Sequence, residues 1–214
     1  MNTTSSKTDN SETNFDHKIA VVTGAGSGVG RHSALALLKN GFHVVLAGRR
    51  LAALEETAKQ SDASASRVLP ISTDVNDHDS VKNLFARVSD EFGRLDVLFN
   101  NAGIGFFGPH ATMAPNRIER MVQTNLIAPM VLVRATLKHL EKSQGIVINI
   151  ASTAALTPGA FGAVYGATKA GLHQFGQALF SEVRRTGVRV VTVYPDMTQT
   201  PFYDELDFAP GEEH

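Results

Sequence analysis

From Lys18 onward, short apolar runs alternate with longer stretches of helical period. The runs Ile19–Thr23, His43–Ala47, Arg67–Ile71, Leu95–Phe99, Gly145–Ile150 and Val188–Val193 are rich in Val, Ile and Leu and do not alternate strictly with polar residues. Runs of that kind are buried on both faces, as strands of a parallel sheet covered by helices are. Between them lie Arg31–Asn40, Leu51–Gln60, Val81–Phe92, Arg117–Leu140 and Ala163–Arg185, each long enough for a crossover helix. Gly41, Gly93 and Gly187 stand where those helices should stop, since glycine tolerates the left-handed conformation of a C-cap. Strand–helix repeats in one direction, joined by right-handed crossovers, predict an α/β domain with a doubly wound parallel sheet of six strands over residues 17–214. Residues 1–16 contain seven Ser or Thr and only Met1 and Phe15 as strongly apolar side chains, so they are expected to form a disordered polar tail.

Composition narrows the function classes. The 214 residues carry 20 Lys and Arg against 21 Asp and Glu, a net charge of −1, which is not the basic footprint of a nucleic-acid binder. No apolar run approaches the ~20 residues of a membrane-spanning helix, and the N-terminus lacks the apolar stretch of a secretory signal. A cytoplasmic protein without nucleic-acid or membrane partners is the expectation. Without Cys there is no disulfide, no thiolate nucleophile and no Cys-based zinc site. The eight His form no His-x-x-x-His pair, so no metal is expected.

The first strand runs straight into Thr23-Gly24-Ala25-Gly26-Ser27-Gly28-Val29-Gly30 and then a helix. A strand, a Gly-rich turn and a helix N-terminus bring backbone N–H groups and a positive dipole end to where a pyrophosphate can sit. The sheet is therefore expected to be Rossmann-like. The spacing Thr-Gly-x-x-x-Gly-x-Gly resembles the short-chain dehydrogenase/reductase family, and further motifs extend that resemblance over most of residues 18–201. It implies that Thr23, Gly24, Ser27, Gly28, Val29 and Gly30 bind a nicotinamide cofactor.

After the second strand comes Ala47-Gly48-Arg49-Arg50, with no carboxylate before Glu55. Proteins specific for NAD usually place an acid there for the ribose 2′-OH, whereas the Arg49 guanidinium suits a 2′-phosphate. NADP(H) is expected over NAD(H). The family's further basic residue inside the glycine turn is replaced by Ser27, which leaves the discrimination to Arg49. Asp74 matches the family residue that hydrogen-bonds the adenine amine, and is equally suited to N-cap the next helix. Asn100-Asn101-Ala102-Gly103 resembles the family's Asn-Asn-Ala-Gly segment, which implies cofactor contacts for Asn101, Ala102 and Gly103.

Tyr165 and Lys169 are four apart, on one helix face. A free phenol ionises well above neutrality, and a lysine ammonium or a positive nicotinamide favours its phenolate. Ser152 lies 13 residues before Tyr165, just past the strand ending at Ile150, where open α/β sheets bind ligands. Asn125 lies 40 residues before Tyr165, within the long helical stretch. The four match the family's Asn-Ser-Tyr-Lys tetrad in order and spacing. The resemblance implies reversible hydride transfer to or from a small carbonyl or alcohol substrate by a homodimer or homotetramer. In it Tyr165 is the acid/base, Ser152 orients the substrate oxygen, Lys169 binds the nicotinamide ribose and lowers the tyrosine pKa, and Asn125 holds a relay water. Phe106, Phe107 and Phe161 suggest an apolar wall beside the site.

The pattern departs from the family in two places. Pro195-Asp196-Met197-Thr198-Gln199-Thr200 stands where Pro-Gly-x-Val-x-Thr is expected, so Pro195, Thr198 and Thr200 are candidates for nicotinamide contacts in a loop of altered geometry. The family's substrate-covering segment and seventh strand are missing from the sequence to His214, which reads either as a minimal member or, the favoured expectation, as a sequence that stops short of the full gene product. A catalytically silent NADP(H)-binding regulator on the same fold is the alternative function.

Overall fold

A computed structural model describes residues 17–61 and 63–196. β1 (Ile19–Thr23), α1 (Gly28–Lys39), β2 (His43–Gly48), α2 (Leu51–Lys59), β3 (Val68–Ser72), α3 (His78–Phe92) and β4 (Val97–Asn100) come first. There follow α4 (Pro115–Val122), α5 (Ala128–Ser143), β5 (Ile146–Ile150), α6 (Ala163–Val183) and β6 (Arg189–Val193). The six strands form one sheet in the order β3-β2-β1-β4-β5-β6, and every pairing is parallel. This is the doubly wound, Rossmann-like arrangement, with the strand order reversing between β1 and β4.

Successive strand residues point to opposite faces, and the core divides accordingly. Ala20, Val22, Val44 and Leu46 pack with Ala34 and Leu38 of α1 and Leu54 of α2. Val21, Val45, Leu98 and Val147 pack on the other face with Val81 and Leu84 of α3, Leu132 and Leu140 of α5, and Leu179 and Val183 of α6. β6 is an edge strand among the described residues, and Val191 and Val193 on its outer face are 42% and 40% exposed.

Buried polar groups fix the strand order locally. Asp96 accepts from the Ile19 backbone N–H at 2.8 Å and pairs with Arg94, joining the start of β1 to β4. Asn100 and Asn149 stand directly opposite each other on β4 and β5, and the Asn100 amide donates to Asn149 Oδ1 at 3.0 Å. Gly41, Gly93 and Gly187 all take positive φ after α1, α3 and α6, as their sequence positions suggest. Asp74 is not the cap of α3. That cap is Asp77, whose carboxylate accepts from Asp79 N–H, while Asp74 Oδ1 accepts from Asn76 N–H in the turn before it.

The stretch expected as one helix from Arg117 to Leu140 is divided. α4 passes through a π turn, Gln123–Ile127, before α5 begins. Single π turns inside helices concentrate at functional sites, and Asn125 lies within this one.

Candidate active site

The carboxyl ends of β1, β2, β3 and β4 border a cleft of about 210 Å³ lined by Gly24, Gly26, Ser27, Arg49, Arg50, Asp74, Asn76, Ala102, Gly103 and Ile104, with Arg120 and Thr124 from the α4 region. Its floor is the glycine turn. Gly24 takes φ +67°, which L side chains rarely adopt. Ser27 caps α1 in an extended conformation but makes no side-chain cap bond, so the first N–H groups of the helix keep their capacity for an anion. Thr23 and Asn101 sit behind that turn. Thr23 Oγ1 accepts from the N–H groups of Asn101 and Ala102 at 3.0 Å each, and Asn101 Nδ2 donates to the Thr23 carbonyl at 2.9 Å. Gly28 and Val29 open α1. Arg31 and Thr57 brace the turn from the side, Arg31 by donating to the Gly26 carbonyl at 2.6 Å and to Thr57 Oγ1 at 3.0 Å.

Gly30 is required for a steric reason. A methyl group there would stand 2.3 Å from the Gly24 carbonyl oxygen and 2.5 Å from Asn101 Nδ2, one of them backbone and both held by the turn. Gly30→Ala is therefore expected to open the β1–α1 turn, costing about 1–3 kcal/mol of stability and at least tenfold in cofactor affinity. Denaturant unfolding and calorimetric titration check the two losses, and a variant that keeps both would contradict the steric account.

The second half of the site lies at the ends of β4 and β5. Tyr165 and Lys169 lie on one face of α6 and are 7% and 4% exposed. Lys169 Nζ donates to the Ile150 carbonyl at 2.8 Å and stands 5.8 Å from the centre of the Tyr165 ring. Burial pushes the Lys169 ammonium down to about 8. Ser152 follows β5, and its Oγ accepts from Ala154 N–H at 3.2 Å, leaving the hydroxyl proton to be donated elsewhere. The start of α6 lies close against this turn, because a methyl group at Gly166 would be 3.1 Å from the Ala154 carbonyl.

Asn125 is 1% exposed, and its side chain is committed. Oδ1 accepts from Ile104 N–H at 2.9 Å, while Nδ2 donates to the Ile104 carbonyl at 2.8 Å and to Thr168 Oγ1 at 3.2 Å. It thus clamps the segment after β4 to α6, with one Oδ1 lone pair uncommitted. A methyl group at Gly103 would lie 3.3 Å from Asn125 Oδ1 and 3.6 Å from Lys169 Nζ, so these three residues meet at one point.

Around the tyrosine, Phe107 packs at 5.1 Å between ring centres, tilted by 48°, and Phe106 joins Met121 in the same apolar cluster. Phe161 has φ +61° and is 44% exposed, and its carbonyl accepts from Gly108 N–H at 2.9 Å. Pro195 is tied to the serine turn by a bond from Thr153 N–H to its carbonyl at 3.1 Å. Thr198 and Thr200 lie outside the described residues. Arg31, Arg50, Arg120 and Thr124 are the site residues that sequence reasoning missed, since charged and hydroxyl residues on helices and turns read as solvated surface.

The chain resembles known proteins in sequence and in fold. The family model described as short chain dehydrogenase matches residues 18–209. An uncharacterized oxidoreductase of Staphylococcus epidermidis is 37% identical over 193 residues, which is 90% of this chain and 83% of the relative. A 3-ketoacyl-(acyl-carrier-protein) reductase from Brucella melitensis, solved with NADH, superposes with a TM-score of 0.85 at 28% identity, covering 90% of this chain and 81% of that one. Actinorhodin polyketide ketoreductase, solved with NADPH, gives 0.83 at 33% identity, covering 88% and 76%. Among the described residues no helix is long and apolar enough to cross a membrane.

Proposed function

The chain belongs to the short-chain dehydrogenase family and is an oxidoreductase of that family, and from that premise we propose that it is an NADP(H)-dependent enzyme acting between a carbonyl group and a secondary alcohol of a small substrate. One observation carries the cofactor choice. Arg49, Arg50 and Arg120 line the same cleft, Asp74 is the one carboxylate among its lining residues, and none of the three arginines has an ion-pair partner among the described residues. A cleft with that charge balance favours a ligand carrying several negative charges, and Arg49 lies after β2, where the ribose 2′ position falls in this fold.

The cofactor's own contribution, when bound, is to give or take the hydride at the carbon that bears the substrate oxygen. The remaining work falls to this chain. The glycine turn and the uncapped end of α1 hold the pyrophosphate. Ser152 donates its hydroxyl proton to the substrate oxygen and fixes its direction. Tyr165 gives a proton to that oxygen during reduction and takes it back during oxidation. Lys169, charged and desolvated beside it, favours the phenolate that this transfer leaves behind. Asn125 holds the Ile104 segment against α6, and its remaining Oδ1 lone pair suits a relay water. Phe107 against Tyr165 favours a substrate with an apolar face next to the reacting carbon.

The test is oxidation of NADPH and of NADH against a panel of aldehydes, ketones, 3-keto acids and 3-oxoacyl thioesters. A kcat/KM that favours NADPH is expected, and Arg49→Gln should reduce that preference roughly 10–100-fold, the worth of a hydrogen-bonded charge pair. A preference for NADH in the unaltered protein removes the cofactor assignment. Tight cofactor binding without turnover on any member favours a silent regulator.

A further inference from the structure

The face of α6 that carries the site extends one turn beyond it. Tyr165, Lys169 and His173 follow one another at intervals of four along the helix and so lie on one side. Lys169 reaches the end of β5 through the Ile150 carbonyl. His173 reaches the chain just past β6, where its Nδ1 shares a hydrogen bond with the Tyr194 hydroxyl. Both residues are half-buried. The helix comes close enough for this contact because its next turn presents Gly176 to β6, where a methyl group would be 2.6 Å from Thr192 Oγ1. Burial of Leu172, Leu179 and Val183 accounts for the packing of α6 on the sheet. It does not account for a polar bond between His173 and Tyr194, which neither the glycine turn nor the tetrad includes.

Tyr194 stands where such a bond bears on Ser152. Ile150 pairs with Val193 in the parallel register, and the ladder continues past the ends of both strands. Ala151 N–H donates to the Val193 carbonyl at 2.8 Å, and Thr153 N–H donates to the Pro195 carbonyl at 3.1 Å. The residues on either side of Ser152 are thus held by the residues on either side of Tyr194. Thr153 Oγ1 adds a longer bond, 3.4 Å, to Asp196 Oδ1. The Ser152 turn therefore takes its position from the backbone of residues 193–195, and that backbone is fixed to the catalytic helix through Tyr194 and His173. Ser152 and Tyr165 must meet one substrate oxygen from two separate elements, and misplacement of such groups by about 1 Å can cost up to 10²-fold in rate.

We propose that His173 and Tyr194 are a positioning pair, whose hydrogen bond sets the Ser152 turn against the helix that carries Tyr165. The inference rests on the proposed carbonyl–alcohol chemistry and acts through Ser152. Tyr194→Phe removes only the hydroxyl, and is expected to lower kcat/KM about tenfold while NADPH affinity stays within about twofold. His173→Leu should match it, and His173→Asn, whose amide stands near the position of Nδ1, should recover most of the loss. In a Ser152→Ala background, Tyr194→Phe should change kcat/KM by less than about twofold, since the group being positioned is already gone. Amide hydrogen exchange needs no substrate, and Ala151 and Thr153 N–H should exchange about tenfold faster in Tyr194→Phe while the amides of α6 keep their protection. Unchanged kcat/KM or unchanged exchange in Tyr194→Phe overturns the proposal. So does an equal loss in the Ser152→Ala background, which would assign the effect to general loosening of the fold. An unaltered protein that reduces no carbonyl compound, yet shows the faster exchange in Tyr194→Phe, counts against the proposed chemistry and upholds the tie between His173 and the Ser152 turn.

Discussion

Tyr165→Phe is expected to lower kcat about 10³-fold, within the range for loss of a general acid/base, while the dissociation constant for NADPH changes by no more than about twofold. The argument rests on what the substitution leaves in place. Tyr165 is 7% exposed and its ring is packed against Phe107, and phenylalanine keeps that contact and nearly all of the volume. Lys169 keeps its bond to the Ile150 carbonyl, and Asn125 keeps its clamp on Ile104. The glycine turn and the arginine-lined cleft are built from other elements. The only group removed is the oxygen that would exchange a proton with the substrate, so turnover and cofactor binding should separate cleanly. Single-turnover rates and calorimetric titration on one preparation read both quantities. Retained turnover would sink the assignment of Tyr165, and joint loss of turnover and NADPH binding would point to a structural role for the phenol.

The fold was legible because its signals are local. β1 spans the same residues as its apolar run, Ile19–Thr23, and α2 starts at Leu51 as the pattern implies. Two helix starts shift from the periodic pattern. α1 begins at Gly28 rather than Arg31 because the glycine turn itself enters the helix, and α3 begins at His78 because its cap is Asp77. Periodicity does not register the break in the long helical stretch, although Pro129, which cannot bond back to the carbonyl of residue 125, stands at the start of α5. The π turn surrounds Asn125, whose three bonds reach Ile104, 21 residues away, and Thr168, 43 residues away. Such a turn is set by tertiary contacts that periodicity does not register.

The two halves of the site differ in the same way. Tyr165, Lys169 and Ser152 carry fixed spacings, so their meeting at the end of β5 could be anticipated. Arg31 and Arg120 carry none. On a helix each reads as one more solvated charge, and only the folded arrangement brings Arg31 to the Gly26 carbonyl and Arg120 into the cleft. Asp74 illustrates an ambiguity that folding resolves. It competes with Asp77 for the cap of α3, loses it, and is left facing the cleft.

Lys169→Met is expected to reduce kcat/KM at least 10²-fold without lowering the melting temperature, and to abolish one part of the pH dependence of stability. In the folded protein Lys169 is 4% exposed, and burial pushes its pKa down to about 8 from the ordinary 10.5. A shift of that size corresponds to about 3 kcal/mol against the charged form in the folded state. The bond to Ile150 offsets part of that cost, and methionine of similar length removes it while filling the same space. The sign follows from proton counts. Between about pH 8 and the ordinary lysine range the unfolded chain binds more protons at this position than the folded one, so stability rises with pH there and is flat below it. Urea unfolding from pH 7 to pH 10 should give that rise for the unaltered protein relative to Lys169→Met. Parallel curves would mean that folding does not shift the ammonium pKa, and a methionine variant that melts well below the unaltered protein would mean that the buried ammonium contributes to the fold. The opposite result makes Lys169 a charge kept in the core at the expense of stability, which is intelligible only if the chemistry beside Tyr165 needs it.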